Sequence, residues 1–182
     1  MSGYELPAAL RVAGHEYPIR SDYRPALDVL QALGDVELSD EEKALVTLAV
    51  LFEDWNTIPR EHFGEALKAA FAYLSGGQPE QTGPAVRLMD WEQDLPLVLP
   101  PINRVLGTEV RALPYCHWWT FLAAYQEVGD CLFAQVVRVR DKLRRGRALD
   151  KADREFYRHN RALVDFQTKH TDAEEQLLKE WM

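Results

Sequence analysis

The spacing of apolar residues predicts a mostly helical chain that begins with a small β-hairpin. Two apolar tetrapeptides, "ALRV" and "YPIR", flank "AGHE", in which Gly14 supplies the turn. Pro18 suits an edge strand, because proline donates no hydrogen bond to a neighbouring strand. From about residue 26 onwards, apolar residues recur every three or four positions, as on one face of a helix. We therefore predict a mostly α fold, with helical parts behind an N-terminal β-hairpin.

Residues with capping preferences place the starts of the helices. Ser21 or Asp22 is suited to cap the first helix. Ser39 is followed three positions later by Glu42, which is the pattern of a capping box at the start of the second. A third helix is expected after Pro59, since proline is accepted in a first turn. The later helices are expected to begin near Asp94, Pro101, Tyr115, Asp130 and Asp150.

The double proline Pro100–Pro101 predicts a break between two short helices. An interior proline lacks its N–H and clashes with the preceding turn, at a cost of ~3 kcal/mol. The second of these helices is expected to start at Pro101 and to end at Gly107.

One polar segment suggests how the chain divides. The stretch "GGQPEQTGP", residues 76–84, contains three glycines, two prolines and no apolar residue, which is typical of an exposed linker. The tail is expected to form a short amphipathic helix or to fray. The predicted parts are an acidic N-terminal part with the hairpin and three helices (1–75), the linker (76–87), a Trp-rich helical part (88–168) and the tail (169–182).

Composition excludes several classes of protein. Hydrophobic residues make up 47% of the 182, so a core can form. We find neither an apolar run long enough for a membrane span nor a signal-peptide pattern, and two cysteines give no disulfide framework. A reducing, cytoplasmic location is therefore expected.

The charge is unevenly distributed along the chain. The net charge is −8, yet residues 130–168 carry 10 basic and 6 acidic residues. Such asymmetry favours electrostatic pairing with another copy or with a partner. Arg138, Lys142 and Arg145 fall near one helix face and are the candidate residues for binding an acidic protein surface, with a solvated helix face as the alternative. Nucleic acid is less favoured, because the protein is acidic and no aromatic residues interleave the cations.

Two groups of residues invite a chemical interpretation. Cys116, His117, Cys131 and His159 include metal-ligand types, but adjacent residues point about 100° apart on a helix and no tight second pair exists. Asp90, Glu92 and Asp94 could bind a cation or act as acid and base, although carboxylates at a helix start also stabilise the helix dipole. We predict no catalytic residue, no metal ligand and no cofactor.

The Trp-rich stretch is better explained as packing. On a helix from about Tyr115 to Val128, one broad apolar face is expected to form core, with His117 at its edge. The expected core residues are Trp118, Phe121, Leu122 and Tyr125.

Much of the chain resembles a known family. The resemblance rests on "YPIRSDYRPALDVLQAL", then "LMDWEQDLPLVLPPINRVLG", then "CHWWTFLAAYQEVGDCLFAQVVRVRDKLRRGRALDKADREFYRHNR". In that order these stretches resemble the bacteriophage gene-product-fifteen family, from about Leu10 to Asp165. The "HWW-x-F" cluster followed by "F-x-x-V-x-x-x-R" is the most specific part.

The resemblance implies a role in assembling phage or prophage tails. Genes of this family lie beside the tape-measure gene of long-tailed phages, which implies a non-enzymatic tail assembly chaperone or adaptor for the tape-measure protein. Its partners would be tail proteins, with self-association as a further expectation and no membrane, in the cytoplasm of the bacterial host during phage assembly. The alternatives are a structural tail or head–tail component kept in the virion, an enzyme, or a nucleic-acid-binding protein.

Overall fold

The N-terminal hairpin forms as the sequence predicts. The computed structural model describes residues 5–78 and 87–167. Strand β1 (Ala9–Val12) pairs antiparallel with β2 (His15–Pro18). The connecting residues Ala13 and Gly14 both have positive φ, 49° and 85°, as a tight two-residue hairpin turn requires.

The described residues are mostly helical, which confirms the predicted fold class. Short 3₁₀ turns lie at Trp55–Thr57, Arg60–His62 and Val110–Ala112. The α-helices in the described ranges are α1 (Tyr23–Gly34), α2 (Asp40–Leu51), α3 (Phe63–Leu74), α4 (Trp91–Leu106), α5 (Trp118–Gln126), α6 (Leu132–Arg144), α7 (Lys151–His159) and α8 (Arg161–Val164).

The capping residues of the first two helices are the predicted ones. The Asp22 carboxylate accepts a hydrogen bond from the backbone N–H of Arg24 at the start of α1. At the start of α2, the side chain of Ser39 accepts from the N–H of Glu42, and the Glu42 carboxylate accepts from the N–H of Ser39. Both reciprocal bonds of the capping box are therefore present.

Helix α4 runs unbroken through its prolines, so the predicted break at Pro100–Pro101 is wrong. The three prolines each remove one helical bond to the carbonyl four positions earlier. Those carbonyls belong to Glu92 and Pro96, which are exposed residues, and to Leu97, which is half-buried. Other positions of the helix are packed, and this apolar burial offsets the proline cost. Its buried apolar residues are Val98, Leu99, Pro101 and Ile102.

The start of α4 also differs from the prediction. Asp90, and not Asp94, caps the helix, and its carboxylate accepts from the N–H groups of Glu92 and Gln93 at 2.9 Å each. Asp94 is buried one turn inside, where its carboxylate accepts from the N–H of Asp90 at 2.9 Å. The end of the helix is as predicted, with Gly107 in the left-handed conformation (φ 69°).

The chain forms two compact units, Met1–Ala134 and Gln135–Met182. In the first unit, α1 packs against α2, α4 and α5, and α3 packs against α2 and β1. Described residues on both sides of the predicted linker thus share one unit, because α5 bonds to the end of α3. The predicted linker (76–87) lies mostly outside the described residues, and the predicted tail (169–182) lies wholly outside them.

No helix in the described ranges combines the length and the apolar character needed to cross a membrane.

Candidate functional site

The residues just before α5 pair with the start of α1. The expected helix from Tyr115 is wrong, because α5 begins only at Trp118 and His117 has extended backbone (φ −58°, ψ 139°). The N–H of Tyr23 donates to the carbonyl of Cys116 at 2.9 Å, and the N–H of Trp118 donates to the carbonyl of Ser21 at 2.8 Å. Two stretches about ninety-five positions apart therefore form a short antiparallel bridge.

The carboxylate of Asp22 holds this bridge together. Besides capping α1, it accepts from the backbone N–H of Cys116 at 2.9 Å. The guanidinium of Arg24 binds the same carboxylate at 3.0 Å and donates to the carbonyl of Leu113 at 2.9 Å. One side chain thus fixes the start of α1 and the approach to α5, and charge-assisted bonds of this kind are stronger than neutral ones.

His117 is a buried structural residue. Its Nδ1 accepts from the backbone N–H of Trp119 at 3.0 Å, so it caps α5. The proton then lies on Nε2, which donates to the carbonyl of Pro7 at 3.0 Å. Both ring nitrogens are hydrogen-bonded and the residue is only 4% exposed, so His117 serves to hold residue 7 against α5.

The predicted chemistry-bearing residues do not converge on a reactive centre. Burial raises the pKa of the Cys116 thiol, which keeps it protonated and a weak nucleophile. Burial raises the pKa of Asp90, but hydrogen bonds from Gln93 and Arg87 outweigh it and hold the value below the usual range. Within residues 5–78 and 87–167, no group of three His, Cys, Asp or Glu side chains is placed to hold a metal ion.

The two tryptophans of the Trp-rich stretch fasten α5 to the end of α3. The Nε1–H of Trp118 donates to the carbonyl of Leu74 at 3.0 Å, and that of Trp119 donates to the carbonyl of Tyr73 at 2.8 Å. Both carbonyls belong to the last turn of α3; that of Tyr73 also accepts from the backbone N–H of Gly76 at 3.0 Å. Of the predicted core residues, the structure buries Trp118 and Phe121 and leaves Leu122 and Tyr125 half-buried.

An open groove of about 310 Å³ lies beside this bridge. Leu6 and Tyr115 on its wall are each 53% exposed, although both are held in place. Tyr115 shares a hydrogen bond with Ser21 at 2.9 Å, and Leu6 precedes Pro7, whose carbonyl is bound by His117. Its lining residues, which we call the apolar groove, are Leu6, Leu106, Thr108, Leu113, Tyr115, Cys116, His117 and Thr120.

The three cations chosen from the sequence as partner-binding residues are paired within the second unit. Arg138 binds Asp153 at 3.1 Å, and Lys142 binds both Asp153 and Asp150, the latter at 3.1 Å. Arg145 binds Asp141 at 2.5 Å. Arg138 and Lys142 therefore bind acidic residues at the start of α7 of the same chain. A partner protein would have to displace these residues to bind the two cations.

Arg140 is buried, which no pattern in the sequence indicated. It is 2% exposed, and it donates from Nε to the carbonyl of Val164 at 2.7 Å and from Nη2 to that of Leu163 at 2.6 Å. Its guanidinium lies 4.2 Å from the ring centre of Phe166. Within a run of six basic residues it looked like one surface cation among others.

The ion cluster between α6 and α7 predicts a dependence of stability on pH. Hydrogen bonds from the Asp153 N–H and then from Lys142 lower the pKa of Asp150 to about 2. Because the folded-state pKa lies below the usual ~3.9, the stabilisation is present above about pH 4 and is lost as pH falls towards 2. We expect Asp150→Asn, which keeps the helix cap, to melt below the parent at pH 7 and to match it near pH 2. Thermal unfolding followed by circular dichroism measures this, and a difference that does not change with pH would contradict it.

Comparison with known proteins gives one family. Residues 4–85 match the family model described as the Bacteriophage Gp15 protein. No curated protein and no solved structure matches the chain. The matched range holds the hairpin, α1 to α3 and Asp22, and it ends before the Trp-rich stretch that we considered most specific. The match confirms the predicted resemblance over this range: residues 4–85 are similar to the bacteriophage Gp15 protein family.

Proposed function

We propose that the protein is a non-enzymatic tail assembly protein of a phage or prophage, acting as a chaperone or adaptor for the tape-measure protein. The observation that carries the proposal is the apolar groove on a unit that contains the family-matched residues. A tape-measure chain is long, helical and partly apolar, so before assembly its apolar side chains need a partner that covers them.

The build of the apolar groove suits that task. Leu6 and Tyr115 offer apolar surface to solvent, which would normally favour collapse or aggregation. Here hydrogen bonds around His117 and Ser21 hold both walls, so little ordering is needed when a side chain enters. The hydroxyl groups of Thr108 and Thr120 add polar atoms for a neighbouring backbone.

The state of the most reactive-looking residues favours a binding role over an enzymatic one. Cys116 has a raised pKa, and His117 uses one nitrogen to cap α5 and the other to bind Pro7. A general base needs a nitrogen available to the substrate.

The proposal is tested by co-expression with the tape-measure protein of the same tail module. We expect the chain to keep a larger fraction of the tape-measure protein in the supernatant, and Leu6→Asp or Tyr115→Asp to abolish most of this effect. A charge in the apolar groove cannot be buried without a partner. The matched control is Leu45→Asp, at an exposed leucine (47%) that does not line the groove.

Two results would count against the proposal. One is a tape-measure protein that is equally soluble with and without the chain. The other is finding the chain at stoichiometric amounts in purified phage particles by mass spectrometry, which would support a structural component of the virion instead.

A further inference from the structure

Helix α7 carries a row of cations that form no ion pair within the described part of the chain. Lys151, Arg154 and Arg158 are spaced by three and four positions, so they follow one another along one helix face, which we call the basic stripe. All three are exposed, and none takes part in an ion pair among residues 5–78 and 87–167. This distinguishes them from Arg138 and Lys142 on α6.

The surroundings of the basic stripe keep it positive. Asp153, the acid between these cations, is buried and bound to Arg138 and Lys142. Glu155 lies on the same side and offsets one charge at most. Residues 135–167 as a whole carry ten basic and five acidic residues.

An acidic segment lies at the corner between α1 and α2. Within Asp35–Glu42, which we call the acidic corner, five of eight residues are acidic. Val36 in its middle is 82% exposed, the highest fraction among the large exposed apolar residues of the described ranges.

We propose that the basic stripe is a docking surface for the acidic corner of a second copy of this chain. Charge complementarity indicates this partner, because opposite potentials steer the encounter of two protein surfaces and fix how they align. A polyanion such as duplex DNA is less favoured, because the chain has a net charge of −8 and the stripe extends only about 10 Å along the helix. The proposal does not depend on the tape-measure role.

The geometry of such a contact has a consequence for assembly. The stripe and the corner are different surfaces, so a single stripe–corner contact leaves one surface of each copy available. Each copy bound through its corner still presents its own basic stripe, and each copy bound through its stripe still presents a corner. A second contact of the same kind then either closes a two-fold dimer or a ring, or extends an open chain of copies.

A charge-swap experiment tests the contact directly. The stripe variant is Lys151→Glu, Arg154→Glu and Arg158→Glu, and the corner variant is Glu37→Lys, Asp40→Lys and Glu41→Lys. In sedimentation velocity at low ionic strength, we expect the parent to associate. Each variant alone should associate more weakly by a factor of about ten or more. Mixed in equal amounts, the two variants should regain association, because each reversed surface then meets its complement.

Controls separate this contact from general charge effects. Reversing three exposed cations elsewhere, Arg60, Lys68 and Arg104, makes the same change in net charge and should leave association as in the parent. Circular dichroism checks folding. If the lysines at the start of α2 lower its stability, Glu37→Gln, Asp40→Asn and Glu41→Gln replace them and should still weaken association.

Three outcomes would overturn the proposal. The first is a parent that stays monomeric at every concentration and low ionic strength, and the second is a mixture of variants that fails to regain association. The third is an unchanged association of the stripe variant together with loss of duplex DNA binding, which would assign the basic stripe to nucleic acid. If the stripe variant still keeps the tape-measure protein soluble, the proposed chaperone role does not depend on the contact between copies.

Discussion

Trp118→Ala is expected to lower the free energy of unfolding by about 3–5 kcal/mol, the range for truncating a buried aromatic side chain. Trp118 is 1% exposed and stacks with Phe121, with ring centres 5.8 Å apart. Phe121 in turn stacks on Tyr23 of α1 at 4.6 Å. The indole also satisfies the carbonyl of Leu74, so alanine leaves both a cavity and an unpaired buried acceptor.

Two comparisons isolate the causes of this loss in urea unfolding. Trp118→Phe keeps an aromatic ring and removes the N–H, so we expect about 1–3 kcal/mol from the orphaned carbonyl and the smaller ring. Trp119→Ala should cost less than Trp118→Ala, because Trp119 is only half-buried. A Trp118→Ala protein that unfolds at the same urea concentration as the parent would show that this residue does not build the core.

Local sequence rules predicted the helix starts well where interactions between near neighbours in the chain determine them. The capping box at Ser39 and the cap at Asp22 involve residues two or three positions apart, and both formed as expected. The same rules failed at the double proline in α4. The penalty for a proline is local, whereas the packing that offsets it comes from distant parts of the chain. Burial of Ile102 and its neighbours depends on how α4 packs against other parts of the chain.

Most of the candidate site could not be predicted from the sequence. The apolar groove combines residue 6, the end of α4 and the approach to α5, which no periodicity connects. His117 was expected at the edge of a helix, but it caps that helix and binds Pro7, 110 positions earlier. The pairing of the α6 cations could not be predicted for the same reason, since composition counts charges and does not show that Asp153 lies between Arg138 and Lys142.

Asp22→Ala is expected to lower the free energy of unfolding by about 2–4 kcal/mol. Loss of the cap on α1 accounts for about 1 kcal/mol. The backbone N–H of Cys116 loses its acceptor in a partly buried position, which costs about 1–3 kcal/mol more. Arg24 also loses the carboxylate that orients it towards the carbonyl of Leu113. Urea unfolding of the two proteins at pH 7 measures the difference.

Asp22→Asn separates the two roles of this side chain. Asparagine caps helices as well as aspartate does, so the bond to Arg24 N–H should survive. Its amide has a single acceptor oxygen, whereas the two carboxylate oxygens of Asp22 serve Arg24 and Cys116 separately. The asparagine protein should therefore fall between the parent and Asp22→Ala, and the bridge to α5 should be weakened while α1 stays capped. Equal stability of Asp22→Asn and the parent would mean that the bond to Cys116 contributes nothing, and the bridge would then rest on the backbone bonds of Tyr23 and Trp118 alone.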